Sequence, residues 1–184
     1  ASTSAPGELV PALVVDEAGA HEPFGLTDVQ HAYWLGRSGL FELGDVSTHL
    51  YIQFTSTDFD HTHAETTLHT LITRHDMLRA VIRPDGRQQI LPTTTATITY
   101  QDLSALTPDE ALAHVDALRE TISHEVRPAD RAPLFGITAQ RLPDGTTRVH
   151  LSLDLLIADA ASVQVLLADW AALLLRGPRR TRPA

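Results

Sequence analysis

The sequence predicts an α+β fold, a mixed β-sheet with helices packed on it, and three observations carry that prediction. Stretches of alternating apolar and polar residues share the chain with stretches of helical period. Two Pro-Asp-Gly triplets, Pro84-Asp85-Gly86 and Pro143-Asp144-Gly145, each separate two extended runs and read as hairpin turns. The resulting order is helix, strand, helix, hairpin, helix, hairpin, helix, which suits a layered sheet-and-helix architecture.

Taken in order, residues 1–22 are rich in Ala, Ser, Pro and Gly and read as a linker or lead-in strap, with one apolar patch over Leu9–Val15. Thr27 is placed to cap a helix over Asp28–Gly36. His49–Thr55 alternates as a strand, with Leu50, Ile52 and Phe54 on one side. Asp60 opens a helix over His61–His75, where Ala64, Leu68, Leu71 and Ile72 form a stripe. The first hairpin pairs Leu78–Arg83 with Arg87–Leu91, and Thr95–Tyr100 is a further strand. Thr107 followed by Pro108 starts a helix that reaches about Val126. The second hairpin pairs Phe135–Leu142 with Thr147–Leu155 and leads into an apolar helix, Ala161–Leu175, ended by Gly177 and Pro178. Residues 177–184 form a tail.

Composition narrows the function classes. The 184 residues are enough for one domain or one lobe with a hydrophobic core. There is no cysteine, which excludes disulfides, thiol nucleophiles and thiolate metal sites, and fits a cytoplasmic setting. Net charge is −9 and all 14 basic residues are arginine. The only basic run, Arg176 to Arg182, lies in the tail, so no nucleic-acid partner is expected. No apolar run approaches the ~20 residues of a membrane helix, and no secretory signal opens the chain.

The most unusual local feature is the segment Leu151–Ser162, which holds Asp154 and Asp159. Asp154 lies in a run of Leu and Ile at the end of a buried strand, where a carboxylate must be paired or protonated. It is either half of a structural ion pair or a site residue. Asp159 stands where strand passes into helix, a place that favours an anion. It either caps the helix or pairs with an arginine. Two carboxylates at one corner can also divide acid and base roles if their surroundings separate their pKa values. Arg74 and Arg79 are the arginines on offer, with Arg79 preferred for its bidentate fork; the bland alternative leaves both at the surface near a helix C-terminus. Other chemistry has little support. His61 and His63 are two apart and face different ways on a helix, no H-E-x-x-H pattern occurs, and no metal site is expected. Ser152 and Ser162 lack a G-x-S-x-G setting. Tyr33 and Trp34 read as core or tunnel lining.

At these residues the sequence resembles a known family. Pro23 to Arg37, read as P-F-G-L-T-D-V-Q-H-A-Y-W-L-G-R, resembles the opening motif of the heterocyclization domains of non-ribosomal peptide synthetases. Arg74-His75-Asp76-Met77-Leu78-Arg79 resembles the arginine-histidine motif shared with ordinary condensation domains, and Pro84–Leu91 continues that region. Asp154 and Asp159 match the D-x-x-x-x-D signature that stands where ordinary condensation domains have H-H-x-x-x-D-G. The resemblance covers about residues 23–175 and departs at Gln53, where the family usually has an acid.

The resemblance implies a lobe of the chloramphenicol acetyltransferase type, here the N-terminal one, spanning residues 23–176. A complete domain has two such lobes around a tunnel and joins a carrier-bound acyl or peptidyl thioester to a carrier-bound Cys, Ser or Thr. It then cyclises and dehydrates the product to a thiazoline or oxazoline. Both substrates ride on phosphopantetheine arms of upstream and downstream carrier proteins, and no cofactor is bound by the lobe itself. Asp154 takes the position of the first motif histidine, Leu155 that of the catalytic histidine, and Asp159 that of the motif aspartate, partner of an arginine in Arg74–Arg79. A full domain is more than twice this length, so this chain alone is expected to be inactive without a C-terminal lobe. The competing expectation is a non-catalytic docking or scaffold module.

Overall fold

The computed structural model describes residues 18–37 and 48–176. The Leu9–Val15 patch and the tail after Arg176 lie outside the described residues. Among the described residues, seven strands and four helices follow one another as β1 (Phe24–Gly25), α1 (Asp28–Gly36), β2 (His49–Ser56), α2 (His61–Arg74), β3 (Ala80–Ile82), β4 (Arg87–Ile90), β5 (Ile98–Asp102), α3 (Pro108–Ser123), β6 (Phe135–Arg141), β7 (Thr147–Asp154) and α4 (Ala160–Leu175). A short 3-10 turn over Asp76–Arg79 joins α2 to β3.

The strands form two sheets rather than one. The main sheet has the order β2-β7-β6-β5 and the small one β1-β4-β3. In the main sheet β6 and β7 form the predicted second hairpin, and β2 lines up antiparallel along β7 with His49 opposite Asp154. β5 runs parallel to β6, the connection between them being α3. Such a pairing needs a crossover, which a helix provides. The first hairpin forms as expected, with Gly86 at φ +76° in its turn, but joins β1 instead of the main sheet. A Cβ on Gly86 would also lie 3.2 Å from the Trp34 ring, so a larger residue in this turn meets both backbone strain and a tight contact.

Three layers result. Val149, Leu151 and Leu153 of β7, with Phe135 and Ile137 of β6, face Leu68 and Leu71 of α2 and Val163 and Trp170 of α4. The predicted α2 stripe Ala64, Leu68, Leu71, Ile72 is wholly buried. Trp170 Nε1 donates to Thr67 Oγ1 at 3.1 Å and ties the two helices. The opposite face of the sheet lies toward α3, where Ala111 and Val115 pack on Leu103 and Leu142.

That second face is unusually polar for its depth. His150 is fully buried and Gln140 nearly so. His150 Nε2 lies 2.9 Å from Gln140 Oε1, Gln140 Nε2 donates to Gln101 Oε1 at 2.8 Å, and the Tyr51 hydroxyl lies 2.7 Å from His150 Nδ1. The same hydroxyl is 3.1 Å from Gln53 Oε1, at the position where the resemblance expects an acid. A neutral ring with its proton on Nε2 donates to Gln140 Oε1 and accepts the Tyr51 hydroxyl proton at Nδ1, so that hydroxyl has no second proton for Gln53 Oε1. Burial holds the His150 pKa down to about 4.

Candidate functional site

The two carboxylates stand at opposite ends of a short turn between β7 and α4, and α1 grips that turn. Asp154 closes β7, where its amide donates to Leu134 O at 2.9 Å. The next amide, Leu155 N, donates to Thr48 O at 2.9 Å. Asp154 Oδ1 accepts the Leu156 amide at 3.0 Å, so the carboxylate folds the chain back on itself as a turn-forming Asp does. Its other oxygen, Oδ2, meets Arg37 Nη2 at 2.5 Å, with the two side chains only 3% and 7% exposed. Asp154 is therefore half of a buried, charge-assisted pair.

Arg37 follows directly on α1, and Gln30 lies seven residues before it, about two turns of the same helix. Thr27 and Gln30 form a capping box, with Thr27 Oγ1 accepting from Gln30 N and Gln30 Oε1 accepting from Thr27 N. The amide nitrogen of that Gln30 side chain donates to Leu156 O at 2.7 Å and to Gln88 Oε1 at 3.1 Å. Gln88 on β4 donates in turn to Gly25 O at 2.8 Å. One helix, its capping residue and the small sheet thus fix the backbone of the turn from both ends.

Asp159 has a different surrounding. It is exposed and caps α4, its Oδ1 accepting from Ser162 N and Ser162 Oγ, both at 2.7 Å. Those bonds from Ser162 hold its carboxyl below the usual aspartate range. It sits on the rim between two depressions. One, of ≈ 630 Å³, is floored by Phe24, Tyr33, Met77, Leu155 and Ile157; the other, of ≈ 500 Å³, borders Arg74, Asp76 and Val165.

The expected Asp159 ion pair is not formed. Arg79 instead donates to Ile72 O at 2.6 Å, Thr73 O at 3.2 Å and Leu91 O at 3.1 Å, and pairs with Asp76 at 2.6 Å. The physical reason is local: the last turn of α2 leaves carbonyls without helical partners, and a guanidinium beside them satisfies several at once. Arg74 is drawn to Asp169 of α4, whose second oxygen binds His75 Nε2 at 2.8 Å. Of the four expected site residues, Asp154 and Asp159 stand at the two ends of one turn, the first buried on Arg37 and the second exposed, while Arg79 braces the end of α2 and Arg74 ties α2 to α4. The arginine that sequence reasoning missed is Arg37, the last residue of the opening motif; its place at the end of α1 is the one signal that pointed to it.

Cap and ion pair predict different substitution effects. Asp159→Ala is expected to lower Tm by a few degrees, whereas Asp159→Asn, which caps equally well, leaves it nearly unchanged in a thermal melt. An equal loss in both variants would reject the cap.

The remaining candidates carry structural bonds. His61 Nε2 lies 3.0 Å from Ile98 O and His63 Nε2 3.1 Å from Leu174 O, on separate elements. Among the described residues no group of three or more His, Asp or Glu side chains is placed to hold a metal, and no helix is long and apolar enough to cross a membrane. Ser152 is buried in β7 and Ser162 is bound to Asp159.

Comparison with known proteins places this geometry. No family model matches the chain. It is 40% identical over 163 residues to the pyochelin synthetase PchE of Pseudomonas aeruginosa, covering 88% of this chain and 11% of that protein. It is 40% identical over 161 residues to the phenyloxazoline synthase MbtB of Mycolicibacterium paratuberculosis, covering 86% and 14%. Its fold superposes on the EpoB cyclization-docking bidomain of a Sorangium cellulosum non-ribosomal peptide synthetase with a TM-score of 0.85 at 36% identity, over 95% of this chain and 35% of that one. The chain is a heterocyclization-type lobe of the condensation-domain superfamily. The α+β, chloramphenicol acetyltransferase-like lobe is also found in the starter condensation domain of the rhizomide synthetase RzmA, with a TM-score of 0.72 at 18% identity, a likeness of fold alone. The lobe spans 11% and 14% of the two curated relatives' lengths and about a third of the bidomain's.

Proposed function

We propose that residues 23–176 form the N-terminal lobe of a heterocyclization domain and supply one wall of its reaction tunnel. Residues 1–22 lead into it and 177–184 follow as a tail. In the complete domain a carrier-bound acyl or peptidyl thioester meets a carrier-bound Cys, Ser or Thr. The amine attacks the thioester carbonyl and releases the carrier thiol. The side-chain sulfur or oxygen then adds to the new amide carbonyl, and loss of water gives the thiazoline or oxazoline. The cofactor group is the phosphopantetheine of the upstream and downstream carriers, and the opposite wall is the C-terminal lobe.

The observation that carries this reading is the turn from Asp154 to Asp159 beside the depression floored by Phe24, Tyr33 and Met77. Leu155 borders that depression where a general base would be needed, and a leucine side chain transfers no proton. Asp154 is committed to Arg37 and Asp159 to the cap of α4. The lobe therefore contributes shape and fixed charge, and positioning of this kind supplies much of the rate in bimolecular chemistry. The names of PchE and MbtB support the heterocyclic product.

The test uses loaded carrier proteins and mass spectrometry to separate the open amide from its dehydrated ring. A complete domain containing this lobe is expected to yield the ring, and this chain alone neither product. An amide that never dehydrates would reduce the reading to a plain condensation lobe; ring formation by the isolated chain would overturn the assignment of half a site to it.

A further inference from the structure

We propose that Gln88 is a positioning residue for the turn between β7 and α4, acting through Gln30; the inference rests on the half-domain function proposed above. The two side-chain amides face each other and bond twice. Gln30 Nε2 donates to Gln88 Oε1 at 3.1 Å, and Gln88 Nε2 donates to Gln30 Oε1 at 3.3 Å. Each amide also has an outer partner that fixes its orientation. Leu156 O and Gly25 O are acceptors and demand a nitrogen, while the Thr27 amide demands an oxygen. Turning either amide over would set carbonyl against carbonyl at two contacts, so the pair has one arrangement. Gln88 is 4% exposed, which makes water a poor substitute for a lost partner.

What this pair holds is the carbonyl of Leu156. The amides of the turn are tied on the main-sheet side, Leu155 N to Thr48 O and Leu156 N to Asp154 Oδ1. The carbonyl is tied to Gln30, which Gln88 braces from the small sheet. Asp154, Leu156, Ile157 and Ala158 are buried, and Leu155 between them is half-buried on the wall of the depression. The place of that side chain is thus set from two sheets at once. With the amide pair broken the main-sheet anchors stay and the small-sheet anchor goes, so the turn shifts without coming away from β7. Where reactants are held by position alone, a misplacement of about 1 Å can cost roughly 100-fold in rate. A residue as buried as Gln88 meets no carrier protein, so the loss falls on turnover rather than on binding.

In a complete domain with loaded carriers, Gln88→Leu is expected to lower kcat by about 10–100-fold and to leave KM for either carrier within about two-fold. Gln89→Leu, at the neighbouring and less buried site of β4, is the control and is expected to change neither. Because Gln88 acts through Gln30, the double variant Gln30→Met with Gln88→Leu is expected to turn over no more slowly than Gln30→Met alone. Gln88→Glu keeps the length and the acceptor but lacks the two N–H groups, and is expected to show the same pattern should the leucine variant fail to fold. In this chain alone, hydrogen exchange at the Leu156 and Ile157 amides is expected to quicken several-fold in Gln88→Leu, with Leu151 of β7 unchanged. A raised KM at constant kcat, losses that multiply in the double variant, or exchange that stays slow or quickens while turnover holds would overturn the proposal and leave the half-domain function standing. No amide from the unsubstituted domain would take down that function, and this proposal with it.

Discussion

Replacing Asp154 by alanine is expected to lower folding stability by about 3–5 kcal/mol, the usual cost of removing one member of a buried ion pair. The side chain is 3% exposed and its partner Arg37 7%, so water does little to compensate the guanidinium for the lost carboxylate. The carboxylate also accepts the Leu156 amide, and that turn bond is lost with it. Replacing both partners by apolar residues, Arg37→Met with Asp154→Leu, is expected to lose clearly less than the single substitution, because both charges of the pair leave the interior together. Urea unfolding of the four proteins closes the cycle. If the double variant were the least stable of the set, the pair would be acting through something other than charge.

Acid should weaken the lobe through His150. The ring is fully buried and its pKa is held down to about 4, against 6.5 for an ordinary histidine. Above pH 6.5 the ring is neutral in both folded and unfolded chains and contributes no pH dependence. Between pH 6.5 and 4 the unfolded chain takes up the proton and the folded one does not, so stability is lost as pH falls through that window. The loss attributable to this ring is on the order of 2–3 kcal/mol. The chain has 10 histidines, so the effect must be isolated. A His150→Gln variant should have a visibly flatter stability curve between those limits, and the His150 resonances of the native protein should not titrate until about pH 4. A native-state titration near pH 6.5 would remove the basis of the argument.

How far the sequence could be read depended on how local each determinant is. The Pro-Asp-Gly hairpins were legible because a positive-φ glycine and a proline act within three residues. The α2 stripe was legible because helical period reports one face. The division into two sheets was not, since nothing local to β3 and β4 says that they join a two-residue strand at Phe24–Gly25 rather than the main sheet. The site shows the same boundary. The burial of Asp154 could be read from the Leu and Ile around it, but its partner lies 117 residues away. For Asp159 the cap and the ion pair were both open. The cap prevails because Ser162 stands three residues on, while Arg79 meets Asp76 and the end of α2 at closer range. Nearby partners win such contests because holding them in place orders less chain.

The pairing of β2 with β7 joins residues as far apart in sequence as His49 and Asp154, 105 positions. During synthesis β2 leaves the ribosome with Leu50 and Ile52 unsheltered, and its neighbour in the main sheet has yet to be made. At roughly 5–20 residues per second, that interval is on the order of 5–20 s. The nascent chain must carry this strand unpaired for that time, and early chaperone engagement or mispairing should concentrate there.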